Sequence, residues 1–176
     1  MEEYINLPLD NDTKQALKAG QKVYLSGIVY TARDAAHKKL VEAINNKEPL
    51  PFDLKDAAVY YTGPTPAGKN GLPGAAGPTT SSRMDPYTLQ MLKAGVSTFI
   101  GKGERSPQTQ KDLIDYGAIY FTAVGGAGAL LSRSIRSMQL IAYPELGPEA
   151  VYLMEIENMP VYVGLDLRGN SIFKTF

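Results

Sequence analysis

The sequence predicts an α/β domain built on a mixed sheet. Three observations carry this prediction. Apolar runs of strand length alternate with periodic segments of helix length along most of the chain. The periodic segments open on hydroxyl or aspartate signals, two of them followed by proline. Beyond residue 140 the helix signals stop and short β-rich runs take over. The length of 176 residues suits one domain, residues 1–176, with residues 1–20 set apart as an N-terminal arm.

In chain order, residues 23–30 read as the first strand. Thr31-Ala32-Arg33-Asp34 then has the form of a capping box, opening a helix to about Asn45 with Leu40, Val41 and Ile44 toward the core. Residues 57–62 are a second strand. Asp85-Pro86 is a cap with proline at the first helical position, and Gly95 ends that helix. Residues 96–100 form a third strand. Ser106-Pro107 repeats the device, with Gly117 as the stop, and residues 118–124 form a fourth strand. Gly125-Gly126-Ala127-Gly128 turns into a helix through about Met138. Residues 151–157 and 161–167 are short strands, with a turn at Arg168-Gly169-Asn170. Residues 63–78 hold nine Gly or Pro among sixteen, yet lie between a strand and a capped helix, which favours an ordered functional loop over a linker.

Composition excludes several functions. Eighteen basic residues cancel eighteen acidic ones, so no excess charge is available for general nucleic-acid or membrane-surface binding. With no cysteine, the chain forms no disulfide, offers no thiol nucleophile and ligates no iron–sulfur cluster through its own thiolates. MEEYINLPLD places two acids where a secretory signal carries basic residues, and no apolar run follows, so a cytoplasmic protein is expected. The longest uncharged stretch, residues 116–132, has 17 residues with four glycines and falls short of the ~20 apolar residues of a membrane helix.

Three constellations could carry chemistry. Thr31-Ala32-Arg33-Asp34-Ala35-Ala36-His37 joins a strand end, a helix N-terminus and an arginine, a setting suited to a carboxylate or phosphate. A capped helix with an exposed arginine and a solvent-facing histidine explains the same residues without a ligand. Gly77-Pro78-Thr79-Thr80-Ser81-Ser82-Arg83-Met84-Asp85 sets four hydroxyls before an arginine, suited to anionic oxygens or, equally, to a polar loop capped by Asp85. Ile100-Gly101-Lys102-Gly103 places an ammonium at the carboxyl end of a strand, where ligands sit in open α/β sheets; a surface turn has the same composition.

Two other motifs fail. Gly63-Pro64-Thr65-Pro66-Ala67-Gly68-Lys69-Asn70 approaches a P-loop but lacks the final Ser/Thr, and Pro73 and two glycines interrupt the helix that must follow. Gly126-Ala127-Gly128 would need its third dinucleotide-fingerprint glycine at Leu131. There is no G-x-S-x-G elbow, and the chain has one histidine, His37.

TARDAAHKKL, YYTGP, GPTTSSRMD, IGKG, AVGGAGAL and AYPELGPEAVYLMEIENMPVYVGLD resemble, in order and spacing, the β subunit of class I iron–sulfur fumarases and L-tartrate dehydratases, the fumarase C-terminal domain family. The resemblance runs from about Lys22 to Phe176. It implies a swivelling β/β/α three-layer domain and reversible hydration of fumarate to (S)-malate. It also implies a [4Fe–4S] cluster held by cysteines of a partner α subunit, which agrees with their absence here. By the same resemblance Arg33, Arg83 and Lys102 match residues that clamp the substrate carboxylates, with Thr80 beside them. Thr79 matches the proposed base for the C3 proton, with Lys102 supporting catalysis. His37, Asp34 and Asp85 would support the site, and no metal is ligated by this chain. The implied partners are the α subunit, in an (αβ)2 assembly by analogy, and a small dicarboxylate. An L-tartrate dehydratase β subunit is the nearest alternative, and a non-catalytic carboxylate-binding domain is a reading of another class.

Overall fold

The computed structural model describes residues 2–123 and 127–173. Among these residues seven strands and five α-helices follow one another: β1 (Glu3–Asn6), α1 (Asn11–Ala16), β2 (Lys22–Thr31), α2 (Asp34–Asn45), β3 (Ala58–Tyr60), α3 (Asp85–Lys93), β4 (Thr98–Gly101), α4 (Pro107–Asp115), β5 (Ile119–Thr122), α5 (Gly128–Ser132), β6 (Ile135–Ala142) and β7 (Val151–Leu165). The sheet is mixed. β1, β2, β3, β4 and β5 pair in parallel, while β7 runs antiparallel to β2, β5 and β6. Because β7 pairs with both β5 and β2, the strands β2, β3, β4, β5 and β7 close into a five-stranded barrel.

Strand alternation sorts the core into two layers. Ala58, Tyr60, Ile100, Ile119 and Phe121 point into the barrel, where they meet Leu25, Val29, Met154, Ile156, Val161 and Val163. Val59, Tyr61, Phe99 and Tyr120 point outward and are covered by Ala36 and Leu40 of α2, Met91 and Leu92 of α3 and Leu113 of α4. The result is two sheet walls and a helix layer, the β/β/α arrangement. Leu40 is buried, and Val41 and Ile44 pack at the edge of the outer cluster.

Several local signals operate as read. Ser106 caps α4, its hydroxyl accepting from Thr109 N at 3.2 Å, with Pro107 in the first turn. Gly95 and Gly117 follow α3 and α4 with φ of 111° and 66°, the left-handed region that stops a helix without strain on a side chain. Residues 63–78 are tied by bonds such as Thr65 N to Ala75 O, 2.9 Å, and Tyr60 Oη to Ala76 O, 2.5 Å.

Other readings are corrected. Thr31 does not cap α2; its hydroxyl turns to β7, donating to Ala150 O and accepting from Tyr152 N at 3.0 Å, and Arg33 holds the cap position with no side-chain cap bond. Asp85 is the first residue of α3, not its cap, because a 3-10 turn at Ser81–Met84 runs directly into the helix. The helix expected to reach Met138 ends at Ser132. Residues from Ile135 form β6 instead, since the open edge of β7 offers them a ladder. The two tail strands are one 15-residue strand, bent where three β7 steps (156 to 159) face two on β2 (25 to 27). Asn158 takes φ 52° at that bulge, and its amide donates to Ser26 Oγ at 2.9 Å. Residues 1–20 contribute β1, α1 and the core side chains Ile5, Leu9 and Leu17. The Gly125-Gly126 turn and Val124 lie outside the described residues.

Candidate active site

Parallel strands deliver their carboxyl ends to one edge, so the segments following β2, β3 and β4 converge there. After β3 the chain leaves at Gly63 and comes back at Thr79, whose amide donates to Tyr61 O at 2.7 Å. Thr80 then pairs in parallel with Lys102, and Ser81 N donates to Lys102 O at 2.9 Å. The loop thus resumes the place beside β4 that β3 vacates, bringing Thr79, Thr80 and Lys102 together although 22 positions separate Thr80 from Lys102. Gly101 permits this approach: a Cβ there would lie 2.0 Å from Ser81 Oγ and 2.7 Å from the Tyr61 ring.

The other two cations come from either side of the same edge. Arg33, half-buried, lies over the backbone of Gly63; a Cβ on that glycine would meet Arg33 Nη1 at 3.0 Å. Its Nε is buried with no hydrogen-bond partner among the described residues. Next to it, Asp34 accepts Arg83 Nε at 3.2 Å and Arg83 Nη2 at its second oxygen, a two-point pair joining α2 to the 3-10 turn. Asp34 therefore orients Arg83, whose Nη1 makes no hydrogen bond among the described residues. Arg83 remains about half exposed and Thr79 half-buried, with Thr80 exposed.

His37 is not solvent-facing. It is 1% exposed, edge-on to Tyr61 (ring centroids 5.3 Å) and stacked near Tyr87 (5.8 Å). Its Nδ1 lies 2.8 Å from Arg33 O; a carbonyl only accepts, so Nδ1 carries the proton and Nε2 is left bare and buried. Burial pushes its pKa from 6.5 down to about 4; the Arg33 carbonyl opposes this and the Arg105 charge adds to it. A neutral imidazole thus props the arginine's own backbone.

Beneath the edge, Asp85 takes Arg105 Nε on one oxygen at 2.7 Å and Ser106 N on the other at 2.8 Å. The Tyr120 hydroxyl donates to Gly103 O at 2.6 Å and lies 2.8 Å from the Ser81 hydroxyl. Burial pushes the Tyr61 and Tyr120 phenols above their usual range, so both stay neutral. Sequence reasoning misses Arg105, Tyr61 and Tyr120. Arg105 stands before the Ser106 cap, and no periodicity ties it to Asp85, twenty positions earlier.

The residues here do not fit an iron–sulfur cluster: the chain has no cysteine, and the described residues bring together no group of three or more His, Asp or Glu that could hold a metal ion. What the edge offers is cations and hydroxyls, the chemistry of a carboxylate site. A cavity of about 360 Å³ lies elsewhere, against Gly27, Ile28 and Ala57 at the opposite ends of the parallel strands.

The Fumarase C-terminus family model matches residues 2–176. The chain belongs to this family. It is 39% identical over 180 residues to a Methanocaldococcus jannaschii protein named "Putative L(+)-tartrate dehydratase subunit beta", with 99% of this chain and 92% of that one covered. It is 38% identical over 155 residues to "Fumarate hydratase class I, aerobic" of Escherichia coli and 36% identical over 170 residues to "Fumarate hydratase 2" of Leishmania major. Those alignments cover 87% and 94% of this chain but only 28% and 30% of the relatives. The relatives are thus named as a dehydratase subunit and as hydratases, and the chain spans under a third of these two fumarate hydratases. Among the described residues no helix is long and apolar enough to cross a membrane.

Proposed function

We propose that this chain is the substrate-holding β subunit of a class I hydro-lyase that interconverts fumarate and (S)-malate. The observation that carries the reading is the Thr80–Lys102 backbone bridge, which sets the Thr79-Thr80 segment beside Lys102 at the edge to which the loops of Arg33 and Arg83 also lead. Arg33, Arg83 and Lys102 would hold the two carboxylates of a four-carbon dicarboxylate, and two fixed ends decide which face of C3 loses its proton. Thr79 Oγ would take that proton, with the cations of the site favouring the oxyanion this requires. The same cations stabilise the negative charge that develops on the substrate.

A partner α subunit would carry the [4Fe–4S] cluster, since this chain has no cysteine for it. Bound there, the cluster would supply Lewis-acid chemistry that this chain's own residues lack. Residues 1–176 act as one domain in this reading, in a cytoplasmic (αβ)2 enzyme active only when both subunits are present. A second reading, L-tartrate dehydration, is favoured by the M. jannaschii relative, which this chain nearly spans. The test is anaerobic co-expression with the cysteine-bearing partner, cluster reconstitution, and turnover of malate and tartrate by wild type and Arg83→Ala. Malate turnover that falls at least about a hundredfold in the variant supports the clamp; tartrate preference moves the substrate, and a cluster-loaded pair inert on both sinks the enzyme reading.

A further inference from the structure

One buried side chain ties together the segments that carry the candidate site. Arg105, in the loop between β4 and α4, is 2% exposed. Its Nε donates to Asp85 Oδ1 at 2.7 Å, and its Nη2 donates to Thr88 Oγ1 at 2.7 Å and Tyr61 Oη at 3.1 Å. The rings of Tyr61, Tyr120 and Phe99 surround its guanidinium carbon at 5.2, 5.1 and 6.0 Å. Burying a guanidinium is costly, and apolar replacements of buried ion pairs are often neutral or stabilising, so net stability does not account for this arrangement. Connectivity does. Asp85 lies two residues beyond Arg83, Arg105 three beyond Lys102, and Tyr61 is the residue whose carbonyl holds the Thr79 amide.

We infer that Arg105 is a positioning residue: through Asp85 and Tyr61 it holds the turn carrying Thr79 and Arg83 in fixed relation to Lys102. The assignment rests on the reading of the site proposed above. A planar fork is needed, because lysine keeps the charge but cannot meet three acceptors, two on α3 and one on Tyr61 after β3, at once. Displacement of either segment by about 1 Å would cost on the order of a hundredfold in turnover.

The test uses the complete two-subunit enzyme with Arg105→Lys, and with Asp85→Asn, a milder variant that preserves shape if the lysine chain does not fold. Three quantities are read: kcat/KM for malate per loaded cluster, hydrogen exchange by mass spectrometry, and the same substitution in a Lys102→Ala background. The proposal expects kcat/KM to fall about 30- to 100-fold. It expects faster exchange in peptides covering 79–85 and 101–106, with those covering the β2–β7 pairing unchanged. It also expects a much smaller loss when Lys102 is already absent, because both substitutions then damage one device. Turnover within twofold of wild type, or full multiplicative loss in the Lys102→Ala background, overturns it. Should the wild-type pair turn over no dicarboxylate, the functional reading fails by itself. Exchange then decides the structural half: unchanged exchange in the two peptides overturns Arg105's role, and local acceleration sustains it.

Discussion

Acid should weaken this fold through one identifiable side chain. His37 is the chain's only histidine, buried as the neutral Nδ1–H form with its Nε2 unpartnered. Burial lowers its pKa from 6.5 to about 4. The sign follows from linkage: below about pH 6.5 the unfolded chain takes up a proton that folded His37 refuses, so stability is lost as pH falls from about 6.5 toward 4 and is untouched above about 7.5. Across the whole interval the loss is about 3 kcal/mol, and at pH 4.5 about 2.5 kcal/mol, a sizeable share of the roughly 5–15 kcal/mol that holds a domain folded. Urea unfolding of wild type and His37→Gln at pH 7.5 and 4.5 isolates this contribution, since the carboxylates titrate alike in both. The stability of wild type relative to the variant should drop by about 2–3 kcal/mol in acid. In NMR spectra the single imidazole should stay neutral at pH 5. A difference between the two proteins that does not move with pH, or an imidazole titrating near 6.5, would refute the reasoning.

Three further outcomes are expected. Asp34→Asn should change stability by less than about 1 kcal/mol, because its pair with Arg83 is half exposed, yet raise KM for the dicarboxylate about three- to tenfold as Arg83 loses its orientation; steady-state kinetics showing an unchanged KM would remove Asp34 from the site. Thr79→Val, close in volume but without the hydroxyl, should lower kcat by about 10²–10⁴ with little change in KM, and a kcat within a factor of a few would exclude Thr79 as the base. Gly101→Ala should cost roughly 1–3 kcal/mol in urea unfolding, since the new methyl overlaps Ser81 Oγ and the Tyr61 ring. Ser81→Ala in the same chain should recover only part of that, because the ring remains.

Local grammar was readable where it depends on a few adjacent residues. The Ser106-Pro107 start and the Gly95 and Gly117 stops are backbone conditions that those residue types satisfy by themselves. The capping box at Thr31 fails because a tertiary partner, the edge of β7, competes for the same hydroxyl. Ile135 and Met138 lie at helical spacing from Leu131, and only pairing with β7 makes them a strand. At the candidate site the motifs holding Arg33, Thr79, Arg83 and Lys102 stand out in the sequence, but their meeting depends on the parallel bridge from Thr80 to Lys102. Arg105 and the burial of His37 were illegible for the same reason: their neighbours, Asp85, Tyr61 and Tyr87, come from other elements.

The barrel's closure also has a kinetic side. The ring is completed by pairs such as Tyr30 with Leu153 and Lys22 with Tyr162, separations of 123 and 140 positions. Contacts so far apart are entropically expensive to form early, which places this topology among slow folders. Until β7 arrives, one edge of β5 and one of β2 stand open while the ribosome is still at work, and each is a template for pairing with another chain. Nascent or partly unfolded protein should therefore aggregate through those two edges, and low temperature with slow synthesis should raise the yield of the soluble form.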